Sequence, residues 1–188
     1  MRNMQVATGS KPKVTVIFIA YKAVKTLEKF YADFPKEKVD EIILVDDASG
    51  DGTFELAQKL GIISFQNPIN LGYGGNMKRA IELALERGAN TIIDIHPDGE
   101  YKPSAIPAAL DEVSRGARLV LGNRFTSPTA PIKTGMYLWK LIPIWGLNYV
   151  DKIVLGLGIG DFHQGFRVYT RELLQTVNYK INTNNYLF

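Results

Sequence analysis

Apolar residues in this chain come as short runs that alternate with stretches of helical spacing. Val14–Ala20 is almost wholly apolar or β-branched and predicts a first strand. Residues 42–45, 62–65 and 92–95 predict three more, and Leu119–Leu121 a fifth. Between them, Leu27, Phe30, Tyr31 and Phe34 recur at helical spacing, so a helix is expected over 23–34 with Pro35 as its stop. Phe54, Leu56, Ala57 and Leu60 predict a second, capped by Thr53 and ended by Gly61. After a glycine-rich turn over 67–75, Met77, Ala80, Ile81, Ala84 and Leu85 mark a helix over 76–87, and another is expected over 103–115. Strands alternating with helices imply βαβ units and a mostly parallel sheet, an α/β fold.

Beyond Gly122 the alternation lapses. Residues 126–133 are rich in Pro, Ser and Thr and read as a mobile loop. Residues 135–160 are apolar and aromatic, with Tyr137, Trp139, Trp145 and Tyr149; such a segment is either core or a membrane contact. Its longest uncharged stretch, 141–150, contains Pro143 and falls short of the ~20 residues of a spanning helix, so none is expected. Residues 1–12 are polar, lack the apolar stretch of a secretory signal and read as a flexible arm.

A chain of 188 residues with 46% hydrophobic and 22% charged positions can bury the core of one globular domain. It has no cysteine, which rules out disulfides and thiolate metal sites and fits a reducing, cytoplasmic setting. The net charge of +3 is unevenly spread: residues 1–94 balance at 12 basic and 12 acidic, whereas 115–188 hold nine Lys/Arg against three Asp/Glu. That excess is either a solvated face or a surface for an anionic acceptor or lipid, the latter at the cytoplasmic face of a membrane. No nucleic-acid-binding motif accompanies it, so no nucleic acid partner is expected.

Two acidic clusters change this picture. Residues 45–53, Val-Asp-Asp-Ala-Ser-Gly-Asp-Gly-Thr, and 96–101, His-Pro-Asp-Gly-Glu-Tyr, each follow a predicted strand. Ligands of open α/β sheets bind at the carboxyl ends of the strands, so both clusters should face one crevice. Carboxylates there can hold a divalent cation, and the cation a diphosphate. Asp46 and Asp47 can accept hydrogen bonds from a base N–H or a ribose hydroxyl, or simply cap their own loop. His96, Asp98 and Glu100 make a Mn²⁺ or Mg²⁺ shell in which imidazole tilts the choice toward Mn²⁺; alone, His96 would be a strand-end histidine. Residues 70–76 resemble a dinucleotide glycine loop with Asp94 downstream, but the spacing is not GxGxxG and the loop follows the third strand.

These segments also resemble family 2 glycosyltransferases, which have the GT-A fold. Residues 45–53 are similar to their VDDxSxDGT segment, and 96–103 to DxDxQxxP. Residues 122–125 are similar to GSRF, and 161–167 to the DxxSGFR of the branch that glycosylates polyprenyl phosphates. The resemblance runs from about Val14 to Arg171 and implies a Rossmann-like GT-A domain over 13–188. Its nucleotide-sugar half would be 13–102 and its acceptor half 103–188, with relatives continuing past residue 188.

The implied reaction is an inverting, metal-dependent hexose transfer from a UDP-, GDP- or dTDP-sugar to a polyprenyl phosphate. Asn70, Gly74 and Lys78 fall in or beside the family's NxGxGxA stretch along the nucleotide site, where Arg79 could also approach the diphosphate. Where the family has PAYNE, this chain has Ile19, Ala20, Tyr21, Lys22 and Ala23, so Ala20 and Tyr21 remain as nucleotide contacts and an acidic one is lost. His96 stands in place of the first metal-motif carboxylate. Arg124 and Arg167 would hold an acceptor phosphate, or else form salt bridges to Asp161 or Asp98. If the acceptor is a saccharide hydroxyl, Asp161 is the candidate base. The His96 and Ala23 departures also suit a non-catalytic sugar-nucleotide-binding module; a nucleotidyltransferase would need a GxGxR-type loop after the first strand.

Overall fold

The computed structural model describes residues 11–98, 101–125 and 138–185. Its centre is β1 (Val14–Ala20), buried at every position, as a strand covered on both faces must be. On one side β1 pairs in parallel with β2 (Glu41–Asp46), which pairs in parallel with β3 (Ile63–Gln66). On the other it pairs in parallel with β4 (Thr91–Ile95). Then come β6 (Phe166–Thr170) and β5 (Leu119–Leu121), completing the order β3-β2-β1-β4-β6-β5. The chain reverses its winding between β1 and β4, so a ligand crevice belongs at their carboxyl ends.

Alternation along β1 divides the core into two layers. Val16, Phe18 and Ala20 face a cluster that includes α1 (Leu27–Ala32), α2 (Thr53–Lys59) and α4 (Ile106–Ser114). There Phe18, Phe30 and Phe34 meet at ring separations of 5.4–6.1 Å, two of the contacts edge-to-face. Ile17 and Ile19 face the opposite layer, where α3 (Gly72–Glu86) contributes Met77, Ala80, Ile81 and Ala84, and α6 (Arg171–Thr176) contributes Leu174.

Several elements differ from the sequence expectation. The first helix begins at Leu27, because residues 23–26 form a turn. The second is preceded by Gly52 at φ +93°, a left-handed position suited to glycine, and Thr53 is its first helical residue rather than its cap. The third begins at Gly72, inside the expected glycine-rich turn. β6 and α6 were not foreseen, and β6 runs antiparallel between β4 and β5. This insertion sets Arg167 opposite Asp94 and brings the segment before β6 to the crevice.

Most of the 135–160 region forms one long helix, α5 (Leu138–Leu155), which carries Pro143 internally. Leu141 and Asn148 are buried, but Trp139, Ile142 and Val154 are 70%, 75% and 73% exposed, so the helix is no core element. Among the described residues no helix is long and apolar enough to cross a membrane. The expected loop over 126–133 lies outside the described residues.

Candidate active site

The loop after β2 is a hydrogen-bonded knot. Asp46 is fully buried and accepts from the Ser49 hydroxyl, from Ser49 N at 3.2 Å and from Gln66 Nε2 at 3.0 Å. The same Ser49 hydroxyl accepts from Lys22 N at 2.7 Å, and Thr53 Oγ1 accepts from Ala23 N at 2.9 Å. Asp51 accepts from Thr53 N at 3.0 Å and Oγ1 at 2.6 Å. Burial alone would raise the Asp51 carboxyl, but these bonds bring it below the ordinary value. Lys22 and Ala48 take left-handed conformations at φ +56° and +57° within this stitching. The motif therefore clamps the β1–α1 loop, and Ala20 and Tyr21 just before it line the crevice.

Asp47 works one step deeper. Its Oδ1 accepts from Asn67 Nδ2 and Leu71 N, both at 2.8 Å, and its Oδ2 from Gly72 N at 3.0 Å. Asn67 Nδ2 also donates to Asn76 Oδ1, whose own amide donates to Val45 O, so a buried polar ladder ties β2 to α3. Asn70, Asp47, Tyr21 and Ala20 line a cavity of about 530 Å³ in front of this ladder. The carbonyl of Asn184 accepts from Gly74 N at 2.9 Å. A Cβ on Gly74 would lie 2.2 Å from Thr183 O, so only glycine lets this backbone approach. Lys78 Nζ donates to Asn182 O and to Asn184 Oδ1, the latter at 2.9 Å, and Arg79 is exposed. Lys78 is thus engaged by residues 182–184, while Asn184 and Asn185 line the same cavity.

On the far side of Tyr73 the crevice widens to a second cavity of about 720 Å³, lined by His96, Asp98, Tyr101, Arg124, Gln164 and Arg167 among others. Asp98 is half exposed, with Oδ2 4.0 Å from His96 Nδ1, a separation that two ligands of one ion can span. The imidazole's other nitrogen, Nε2, lies 3.3 Å from the Tyr73 hydroxyl and 3.8 Å from Asp94 Oδ1. Asp94 is completely buried and neither oxygen has a hydrogen-bond partner. Burial pushes it up to about 6, against the pull of His96 and Arg167. The donor chemistry and the buried carboxylate behind His96 fit a divalent cation. Glu100 lies outside the described residues, and among those described no group of three such side chains surrounds a common point.

The two arginines have different settings. Arg124 and Asp161 form a fork: Nε donates to Oδ2 at 2.8 Å and Nη2 to Oδ1 at 3.2 Å, while Nη2 also reaches His163 O at 2.7 Å. Asp161 is fully buried behind Arg124 and also accepts from His163 N at 3.1 Å. Arg167 reaches the crevice from β6, with Nε donating to Gln164 Oε1 at 3.1 Å and Nη1 to the Tyr73 hydroxyl at 3.3 Å. Burial would lower its guanidinium, but Tyr169, Tyr73 and Asp94 around it raise it instead. Tyr73, Gln164, Asn67 and Asn76 are site residues that sequence reasoning did not single out. The signal available for Tyr73 was an aromatic residue set among the glycines of residues 72–75.

A family model described as glycosyl transferase family 2 matches residues 15–177. Polyprenol monophosphomannose synthase of Mycolicibacterium smegmatis is 28% identical over 155 residues, covering 78% of this chain and 57% of that protein. UDP-N-acetylglucosamine–dolichyl-phosphate N-acetylglucosaminyltransferase of Methanococcus voltae is 22% identical over 191 residues, covering 92% and 75%. Glucosyl-3-phosphoglycerate synthase of Mycobacterium tuberculosis, solved with Mn²⁺, UDP-glucose and phosphoglyceric acid, aligns with a TM-score of 0.66 at 19% identity, over 88% of this chain and 59% of that one. That likeness shows the GT-A fold. The chain spans little more than half of the mannosyl enzyme and of the solved structure.

Proposed function

We propose that this chain, a member of glycosyl transferase family 2, moves a hexose from a nucleoside-diphosphate sugar to a polyprenyl phosphate with inversion at the sugar carbon. The observation that carries this reading is the two-part crevice. Its first cavity opens on the Asp47-braced start of α3, and its second is lined by Asp98 and His96 together with Arg124 and Arg167. A donor would lie in the first with its diphosphate reaching Asp98, and an anionic acceptor would meet the arginines in the second. We assign residues 13–102 mainly to the donor and 103–188 mainly to the acceptor, with Asn184 and Asn185 returning to the donor cavity.

A divalent ion held by Asp98, with His96 and Glu100, would counter the charge that builds on the departing nucleoside diphosphate. The acceptor oxygen would form the new bond to the sugar carbon as the bond to the diphosphate breaks on the opposite face. A phosphate is already anionic at neutral pH and needs no strong base. Asp161, buried and bound to the Arg124 fork, favours this acceptor over a hydroxyl. Names among the relatives include both a mannosyl and an N-acetylglucosaminyl enzyme, so the base and sugar are left to experiment. The test is turnover of UDP-, GDP- and dTDP-hexoses with a short-chain polyprenyl phosphate, with and without Mn²⁺. Mn²⁺-dependent product is expected from one donor class. Binding of sugar nucleotides with no transfer to any acceptor would point to the binding-module reading.

We further propose that α5 lies on a membrane surface near the lipid acceptor. Trp139, Ile142, Ile153 and Val154 give it exposed apolar and aromatic area, and the chain from residue 115 onward carries a basic excess. Vesicles containing anionic lipid should sediment the protein, less so as salt shortens the reach of surface charge to ~8 Å at physiological ionic strength. Ile142→Asp with Ile153→Asp should abolish sedimentation while leaving nucleotide binding intact. Binding that ignores lipid charge, salt and both substitutions would remove α5 from the interface.

A further inference from the structure

The reaction as described leaves Asp94 unused. It sits wholly buried near the end of β4, with both oxygens unpartnered, beneath the crevice that holds His96 and Asp98. The groups around it are His96, Arg167, Tyr73, Tyr169 and Asp98. Arg167 stands opposite it in the sheet register but gives its Nε and Nη1 hydrogen bonds to Gln164 and Tyr73. The near nitrogen is His96 Nε2, at 3.8 Å.

His96 occupies a position where the family pattern has a carboxylate, and imidazole differs from a carboxylate in a way that needs help. Neutral imidazole offers a lone pair from only one ring nitrogen, and the environment of the other decides which. Nδ1 is the nitrogen on the Asp98 side, whereas Nε2 meets the Tyr73 hydroxyl and the Asp94 carboxylate. The Tyr73 hydroxyl, which accepts from Arg167 Nη1, can donate to Nε2 or accept from it, so it does not by itself choose the tautomer. Asp94 at 3.8 Å acts through its charge rather than a hydrogen bond, since an ionised carboxylate attracts an N–H and repels a lone pair.

We propose that Asp94 is a positioning residue for the cation site: it holds the proton on His96 Nε2 and thereby turns the Nδ1 lone pair toward the space beside Asp98. This rests on the cation reading of His96 and Asp98 given above.

The test begins without metal or substrate. His96 and His163 are the only histidines, so ¹⁵N-histidine labelling resolves each ring by NMR. The full chain is expected to show His96 as the Nε2–H tautomer, and Asp94→Asn should shift it toward a mixture. Mn²⁺ binding, followed by electron paramagnetic resonance, should weaken about 10–100-fold in Asp94→Asn, the usual effect of losing such a supporting partner. His96→Asp alone should bind Mn²⁺ worse than the unaltered chain, since it sets a carboxylate against buried Asp94, and adding Asp94→Asn should restore binding. If Asp94→Asn does not fold, Tyr73→Phe with the unaltered chain still decides, because Nε2–H should persist without the hydroxyl. An Nδ1–H tautomer in the unaltered chain would overturn the proposal. So would an Asp94→Asn variant that loses thermal stability while its tautomer and Mn²⁺ affinity stay put, which would assign Asp94 to Arg167 instead. Failed sugar transfer with the expected tautomer and epistasis would sink only the functional reading.

Discussion

Asp98→Ala is expected to remove the Mn²⁺-dependent tightening of nucleoside diphosphate binding and to cut hexose transfer by roughly two to three decades. The magnitude follows from the several kcal/mol that a cation contributes to charge developing on a leaving diphosphate, at about 1.4 kcal/mol per decade of rate. The melting temperature should change by no more than about 2 °C, because Asp98 is half exposed and a surface substitution usually costs under ~0.5 kcal/mol. That contrast gives the test its force. Structural damage would lower stability and activity together, whereas a ligand loss separates them. Calorimetric titration of the nucleoside diphosphate with and without Mn²⁺, beside a thermal melt, reads both. Full metal dependence in Asp98→Ala would take Asp98 out of the cation site.

The same distinction between a residue's chemistry and its local duty explains what could be read from sequence. β1, β2 and β4 announced themselves because strands covered on both faces must be apolar almost without interruption. β6 did not, since Arg167 and Thr170 interrupt its apolar residues and its pairing to β4 and β5 joins segments far apart in the chain. α5 escaped for the opposite reason. Apolar residues nearly all round it, with Pro143 inside, leave no stripe for a periodicity to reveal.

At the site, the acidic clusters lie at the carboxyl ends of β2 and β4, as expected, but the sequence does not say what each carboxylate does. Asp46 accepts from Ser49 in its own loop and from Gln66, and Asp47 from Asn67, Leu71 and Gly72, partners up to 25 residues away, so their hydrogen bonds reach beyond the loop that either could cap. Only the fold brings those partners together. Asp94 drew notice in the sequence only as a carboxylate downstream of the glycine loop, whereas the structure buries it 3.8 Å from His96 Nε2.

Arg167→Ala should slow transfer to a short-chain polyprenyl phosphate by about one to two decades and leave donor binding intact. A lost charge-assisted hydrogen bond is worth roughly 1.5–3 kcal/mol when it is felt in the transition state. Arg124 and Asp161 will answer differently, because they form one buried fork. Removing either partner strands the other, a loss of ~3–5 kcal/mol, so Asp161→Asn and Arg124→Ala should each melt roughly 10 °C lower or more. Turnover must therefore be measured well below those transitions and per folded molecule. Under the lipid-phosphate mechanism Asp161→Asn then loses little rate beyond what a loosened Arg124 costs, and Arg167→Ala is the more damaging change. Under a hydroxyl mechanism the order inverts, since loss of a general base costs ~10²–10⁴-fold. The buried setting of Asp161, capped by Arg124 and His163 N, leads us to expect the first order. Running all three variants with both a polyprenyl phosphate and a simple sugar acceptor separates the mechanisms. Activity on the sugar alone, with Asp161→Asn the most severe lesion per folded molecule, would overturn the lipid-phosphate reading and return Asp161 to the role of base.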